Sequence, residues 1–243
     1  MTMAMEASAL EEPADDPAER EAARLALHGT PLERARTAYR AMRALIADPD
    51  DTRQVFYIGL VVNRRSYPQF LARWTSDDEG ARLLRERPAI DSQHVDFDAL
   101  RALPETTLGG AYVRYLDANG LDPDLFQPPP GLPEIPAYIG QRMRQVHDLW
   151  HVLTGYRTDV PGEIALQAFT WGQTGVASSA LVAIVASARF ALTQPHVVRM
   201  AFDGYRRGAK ARFLASIRLE DHFARELDEL RSEWDIEVEP QAA

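Results

Sequence analysis

Apolar positions recur along most of this chain at helical spacing, and no stretch alternates convincingly at the two-residue period of a strand. The pattern predicts an all-α protein. Thr30 can cap a helix whose first turn holds Pro31 and which runs to Ala47, ahead of Asp48 and Pro49. Further helices are expected over residues 52–62, 64–74 and 77–85, with Pro68 in a first turn and acids at 77–79 favouring a helix start. Arg87-Pro88 interrupts the pattern, a turn or two follows over 98–103, and 107–119 reads as an amphipathic helix closed by Asn119-Gly120. The Pro-rich run 127–133 can be neither helix nor central strand and is read as an extended surface crossing within one domain.

From Ile164 to Ala188 there are 25 residues without a charge, enough by length to span a membrane. Gln167, Thr170, Gln173, Ser178 and Ser179 make its first half too polar for that. It is expected to be a buried, closely packed helix or two consecutive helices. Val176, Leu181, Ile184 and Val185 either line an apolar groove there or serve ordinary packing. An amphipathic helix over 197–209 and a last one over 219–234 complete the chain. The whole reads as a single-domain multi-helix bundle over 23–243, with long buried central helices, behind a disordered acidic tail of residues 1–22 in which seven of eight charges are acids.

Composition narrows the function classes. Thirty-six acids against 27 bases give a formal net charge of -9, which argues against a nucleic-acid partner. The strongly basic group Arg199, Arg206, Arg207, Lys210 and Arg212 is either a solvated face or a contact for lipid headgroups. With no cysteine, disulfides and thiolate metal sites are excluded, and His and carboxylate are the strong metal ligands available. The acidic N-terminal stretch resembles neither a secretory signal nor a mitochondrial presequence, so a bacterial cytoplasmic location is expected, with peripheral contact to the inner membrane as the alternative to a freely soluble state.

Residues 147–163 hold the densest set of metal-ligand types. His147 and His151 lie about 40° apart on one helix face, with Asp148 about 100° from His147. Gly155 should end that helix, and Thr158, Asp159 and Pro161 should begin another, carrying Glu163 back toward the imidazoles. His147, Asp148, His151 and Glu163 would suit zinc or another divalent first-row metal. Spacing alone also allows a hydrogen-bonded polar seam with no metal. The motif is like the His-Glu-any-any-His helix of zinc proteases, but Asp148 is one methylene shorter than the general base of that motif, so protease chemistry is not expected. Arg144, one turn before His147, and Arg142 could each bind a substrate carboxylate with two parallel hydrogen bonds.

Taken together, His147, Asp148, His151 and, after eleven residues, Glu163 resemble the signature of the coenzyme Q (ubiquinone) biosynthesis protein 4 family. Arg87-Pro88, Leu103-Pro104, Thr107-Leu108-Gly109 with Tyr112, Arg142, Arg144 and Gly162 extend the resemblance over about residues 33–236. The resemblance implies metal-dependent oxidative decarboxylation of a polyprenylated 4-hydroxybenzoate-type ring, a lyase chemistry in which a hydroxyl replaces the carboxylate and the four motif residues are catalytic. Such a substrate calls for an apolar groove for its isoprenoid tail. The alternative is a non-catalytic scaffold that binds isoprenoid lipid and presents precursors to other quinone-biosynthesis enzymes. The resemblance and a large apolar helical surface together imply a homodimer.

Overall fold

Side-chain oxygens decide where many of the helices begin. Asp16, Thr30, Asp77, Asp96, Thr107 and Asp159 each accept a backbone N–H of the turn that follows, and at Thr30 the cap is reciprocal because Glu33 bonds back to the Thr30 N–H. The computed structural model describes residues 16–48 and 51–240. Over these the chain forms α1 (Pro17–His28), α2 (Pro31–Ala47), α3 (Arg53–Val62), α4 (Tyr67–Trp74), α5 (Asp78–Glu86) and α6 (Phe97–Arg101). Then come α7 (Leu108–Asn119), α8 (Glu134–Thr154), α9 (Val160–Thr174), α10 (Ala177–Phe190), α11 (Pro195–Lys210) and α12 (Leu227–Glu233). No strand occurs among the described residues, only an isolated bridge between Thr107 and Glu226.

Several boundaries depart from the sequence reading for identifiable reasons. Residues 1–15 of the expected acidic tail lie outside the described residues, but 17–22 are helical, because Asp16 caps α1 and Pro17 fits its first turn. The helix expected over 64–74 starts at Tyr67, after a 3₁₀ turn at Asn63–Arg65. The one expected over 219–234 is broken into a 3₁₀ turn at Leu219–His222 and the short α12. There the backbone of 223–227 leaves the helix to bond the start of α7: Leu108 and Gly109 N–H donate to the Arg225 and Phe223 carbonyls, and Leu227 N–H donates to Thr106.

The main core is built around three indoles, Trp74, Trp150 and Trp234, none more than 1% exposed, with Leu149, Leu153 and Phe169 among the apolar side chains around them. Two faces of α8 and α9 thus bury large side chains on the elements that carry the candidate ligands. The uncharged stretch resolves into two helices, because Gly175 adopts a left-handed conformation (φ 68°) between them. The second is not the buried central helix expected: Leu181, Ile184 and Val185 are 52, 56 and 58% exposed and turn outward, while Ser179, Ala183 and Ser187 form its buried side. None of the described helices is long and apolar enough to cross a membrane.

α9 is held hard against α11. A Cβ on Gly172 would sit 2.3 Å from the Tyr205 carbonyl oxygen, one on Gly204 2.4 Å from that of Ala165, and one on Gly208 2.2 Å from that of Phe169. The two backbones meet where side chains would normally separate them. Gly208→Ala is therefore expected to cost about 1–3 kcal/mol, since the helices must part to admit a methyl group. Thermal denaturation measures this; a variant that melts with the wild type would mean that the crossing opens freely.

Candidate metal centre

The last turn of α8 is tied down from outside the helix. Gly155, left-handed at φ 76°, donates its N–H to the His151 carbonyl, and the Glu239 N–H donates to Thr154. The Arg231 guanidinium donates to the Val152 and Leu153 carbonyls at 3.0 Å each. A helix end that would otherwise fray thus presents His151 in a fixed position. Asp159 caps α9 through the Gly162 N–H, which places Glu163 in its first turn.

The result brings three of the four expected ligands together. Nε2 of His147 lies 3.4 Å from one Glu163 carboxylate oxygen, and Nε2 of His151 lies 3.0 Å from the other. One ligand atom from each of the three residues falls within 4.8 Å of the others. The imidazoles are nearly perpendicular, with centroids 5.0 Å apart. Asp148 stands outside this set. Burial raises its carboxyl pKa, opposed by the charges of His147, His151 and Arg144.

The hydrogen bonds around His151 fit a metal ligand. Its side chain is 1% exposed, and Nδ1 lies 2.9 Å from the Tyr156 carbonyl oxygen, an acceptor that requires the proton to be on Nδ1. With the ring neutral, Nε2 then offers its lone pair to the site, where the Glu163 carboxylate lies 3.0 Å away. A carbonyl behind a ligating imidazole is the usual arrangement that sets the tautomer and ring orientation. Tyr115 of α7 stacks on the same ring, with centroids 5.5 Å apart and planes 22° apart. Without a metal, burial raises the Glu163 pKa but its hydrogen bonds to the two imidazoles outweigh that and bring it down to about 2. For His151 burial lowers the pKa, and Glu163 more than offsets this, so the net shift is upward.

The two arginines have separate fates. Arg142 is fully buried and gives both terminal nitrogens to the Glu220 carboxylate at 2.6 Å, so it is committed to the fold and not to a ligand. Arg144 lines a cavity of about 510 Å3 together with His147. Burial lowers its pKa, partly countered by Asp148, and its guanidinium lies 5.9 Å from the Phe126 ring centroid. The remaining wall is mainly apolar, with Phe56, Leu60, Phe70, Ile139, Met143 and Val176 among its residues. Of the residues expected to line a groove along the uncharged stretch, Val176 lines the cavity and Leu181, Ile184 and Val185 do not; α10 itself gives Ser178, Ser179 and Val182, and α3 and α8 contribute more of the lining than any other helix. The part played by α3 and α4 had no sequence signal beyond helical periodicity, and neither did the stacking of Tyr115.

The basic group of α11 is largely neutralised. Arg206 and Lys210 pair with Glu237, Arg207 with Glu239, and Arg212 with Glu79. The pairs with Glu237 and Glu239 fasten the segment after α12 across α11, which weakens the expected lipid-headgroup contact at this face.

Residues 26–240 match the family model of the coenzyme Q (ubiquinone) biosynthesis protein Coq4. A mitochondrial ubiquinone biosynthesis protein COQ4 homolog of Danio rerio is 33% identical over 200 residues, covering 81% of this chain and 74% of the relative. The COQ4 protein of Arthroderma otae is 33% identical over 222 residues, covering 87% and 80%. Other fungal relatives are longer, and the chain spans 52% of the Debaryomyces hansenii protein. A crystal structure from Nostoc punctiforme PCC 73102, described provisionally as a ubiquinone biosynthesis protein, superposes with a TM-score of 0.66 at 25% identity, covering 84% of this chain and 97% of that one.

Proposed function

Because the chain belongs to the Coq4 family of coenzyme Q (ubiquinone) biosynthesis proteins, we propose that it is a metal-dependent enzyme acting on a polyprenylated 4-hydroxybenzoate-type ring, removing the carboxylate and leaving a hydroxyl. The observation that carries this reading is that an apolar cavity of about 510 Å3 reaches the ligand set at His147, with Arg144 in the same lining. A substrate with an isoprenoid tail and a charged aromatic head has the same two-part chemistry. The size falls within the usual range of about 300–1,000 Å3 for small-molecule sites.

His147, His151 and Glu163 would hold the metal, zinc or another divalent first-row ion, with Asp148 as an outer partner. Bound there, it would act as a Lewis acid on a phenolate or carboxylate oxygen. The protein's own groups do the rest. The guanidinium of Arg144 grips the carboxylate, the bond from His151 Nδ1 to Tyr156 and the Tyr115 stack keep the ligand nitrogen aimed inward, and the apolar wall keeps water from the ring. Replacing a carboxylate by a hydroxyl oxidises the ring, so an external oxidant supplies the oxygen atom and carbon dioxide leaves. The scaffold reading calls for a purely structural metal with a closed set of four protein ligands. Three converging ligands among the described residues weigh toward catalysis.

The test is carbon dioxide release from a short-tailed prenylated 4-hydroxybenzoate by metal-loaded protein in air. Hydroxylated product is expected, and binding of the substrate without turnover under any first-row metal would favour the scaffold. Arg144→Gln is expected to raise KM for this substrate by about 10–100-fold, the worth of a charge-assisted pair of hydrogen bonds. Affinity for an isoprenoid alcohol, measured by calorimetry, should be unchanged; equal loss for both ligands would assign Arg144 to the cavity wall instead.

A further inference from the structure

The converging ligands come from two helices, His147 and His151 from α8 and Glu163 from α9, and both helices are referred to a third. α11 presses on α9 through Gly204 and Gly208, where it meets the carbonyls of Ala165 and Phe169 shortly after Glu163. Glu163 is thereby fixed relative to α11. His151 is tied to the same helix by another route. Its Nδ1 donates to the Tyr156 carbonyl oxygen at 2.9 Å, and the hydroxyl of that tyrosine, which is 2% exposed, accepts from the Arg207 guanidinium of α11 at 3.3 Å. Arg207 also pairs with Glu239, whose own N–H donates to the Thr154 carbonyl in the last turn of α8. One arginine thus holds the turn after His151 directly and the helix end through its partner. Its side chain is 11% exposed and its Nε is buried without a hydrogen-bond partner, a cost that a surface ion pair does not carry. Lys210, one turn on, is the contrast: it is 49% exposed, and its ion pairs go to Asp235 and Glu237.

We propose that Arg207 is a positioning residue of the metal centre, holding His151 at ligand distance from Glu163 through Tyr156 and Glu239. The inference rests on the metal reading above. A hydrogen-bond partner behind a ligating imidazole is worth about 10–100-fold in metal affinity, and here that partner is a backbone carbonyl that no side-chain substitution deletes. What varies is how firmly it stands. The turn between α8 and α9 lacks helical hydrogen bonds of its own over Tyr156, so the contacts of that tyrosine set where its carbonyl points. Once loosened, the carbonyl releases Nδ1, the ring is free to turn or to take the other tautomer, and Nε2 loses its aim at Glu163. Arg207 does not line the cavity, so it acts at one remove and not on substrate. The segment after α12 is then part of the scaffold of the site, although it carries no ligand.

Zinc affinity of the full-length protein, by competition with a chromophoric chelator, and the visible spectrum of the cobalt(II)-loaded protein test the proposal. Arg207→Met should weaken zinc binding about 10–100-fold and shift the cobalt bands. Tyr156→Phe removes only the hydroxyl and leaves the Arg207–Glu239 pair in place. It should move both readouts in the same direction, and it decides the matter if Arg207→Met folds poorly. Lys210→Met, which frees the same segment from Asp235 and Glu237, should bind zinc like the wild type. In metal-free protein, at a pH where the ring is neutral, nitrogen resonances should place the His151 proton on Nδ1 in the wild type and share it between both nitrogens in the first two variants. That readout needs no ion, so wild type that takes up no metal would sink the metal reading while the ring still judges this one. Zinc affinity and cobalt bands unchanged in Arg207→Met and Tyr156→Phe, or an equal loss in Lys210→Met, would reduce Arg207 to a fastener of the chain end.

Discussion

Glu163→Ala is expected to reduce the metal content from about one ion per chain to background while the fold survives. The carboxylate is the only anion among the three converging ligands, and two imidazoles alone hold a divalent ion weakly. The side chain is 41% exposed, and its close partners among the described residues are the two histidines. Elemental analysis of protein purified without chelator or nickel affinity measures the loss, and a thermal melt of metal-free samples checks the fold. Metal content equal to that of the wild type would remove the proposed centre.

The same variant has a pH signature in the metal-free state. The Glu163 carboxyl has its pKa lowered to about 2 from the ordinary 4.5, while that of the His151 imidazole is raised. The pair therefore stabilises the fold in full between the two ordinary values, 4.5 for the carboxyl and 6.5 for the imidazole. The carboxyl's share is lost as pH falls from 4.5 toward 2, and the imidazole's share is lost as pH rises through its raised value. Melting temperatures of wild type and Glu163→Ala should converge at the acid end.

Breaking the Arg142–Glu220 pair should have the largest effect on stability. Arg142→Leu leaves a carboxylate that is only 13% exposed without its bidentate partner, and Glu220→Leu leaves a guanidinium at 0% exposure, each at about 3–5 kcal/mol. For a domain of this size that is a fall of roughly 6–20 °C in Tm. The double variant should recover most of the loss, because no buried charge then stands alone, and a double-mutant cycle isolates the pair. The bond joins α8, one turn and a half ahead of His147, to the 3₁₀ turn at Leu219–His222. Single variants that melt normally but bind substrate poorly would return Arg142 to the ligand-binding role expected from the sequence.

Much of this was legible in the chain because helix caps and metal ligands are local. Thr30, Thr107, Asp159 and Gly155 mark ends through their own chemistry, and His147, His151 and Glu163 need only one helix, one turn and the next helix. What escaped depends on contacts between distant segments. The break at 223–226 arises from bonding to 106–109, and Arg142 meets Glu220 across 78 positions. α10 reads as buried from its composition, yet apolar residues there face outward. Hydropathy alone cannot separate a core side from an uncovered one.

That contrast in range bears on how the protein is assembled. The candidate metal ligands lie within residues 147–163, a segment whose ends meet by closing a loop of a dozen residues, an event of about 10–100 ns. The cavity wall draws on positions from Ala26 to Val182 and waits for the slow, long-range part of folding. An ion present during folding can therefore engage the hairpin before a tail-binding space exists. Any such affinity of partly folded chains subtracts from the stabilisation that the ion gives the native state. Under the proposed function, metal and lipid acquisition would thus be separated in time by the sequence distance of their contacts.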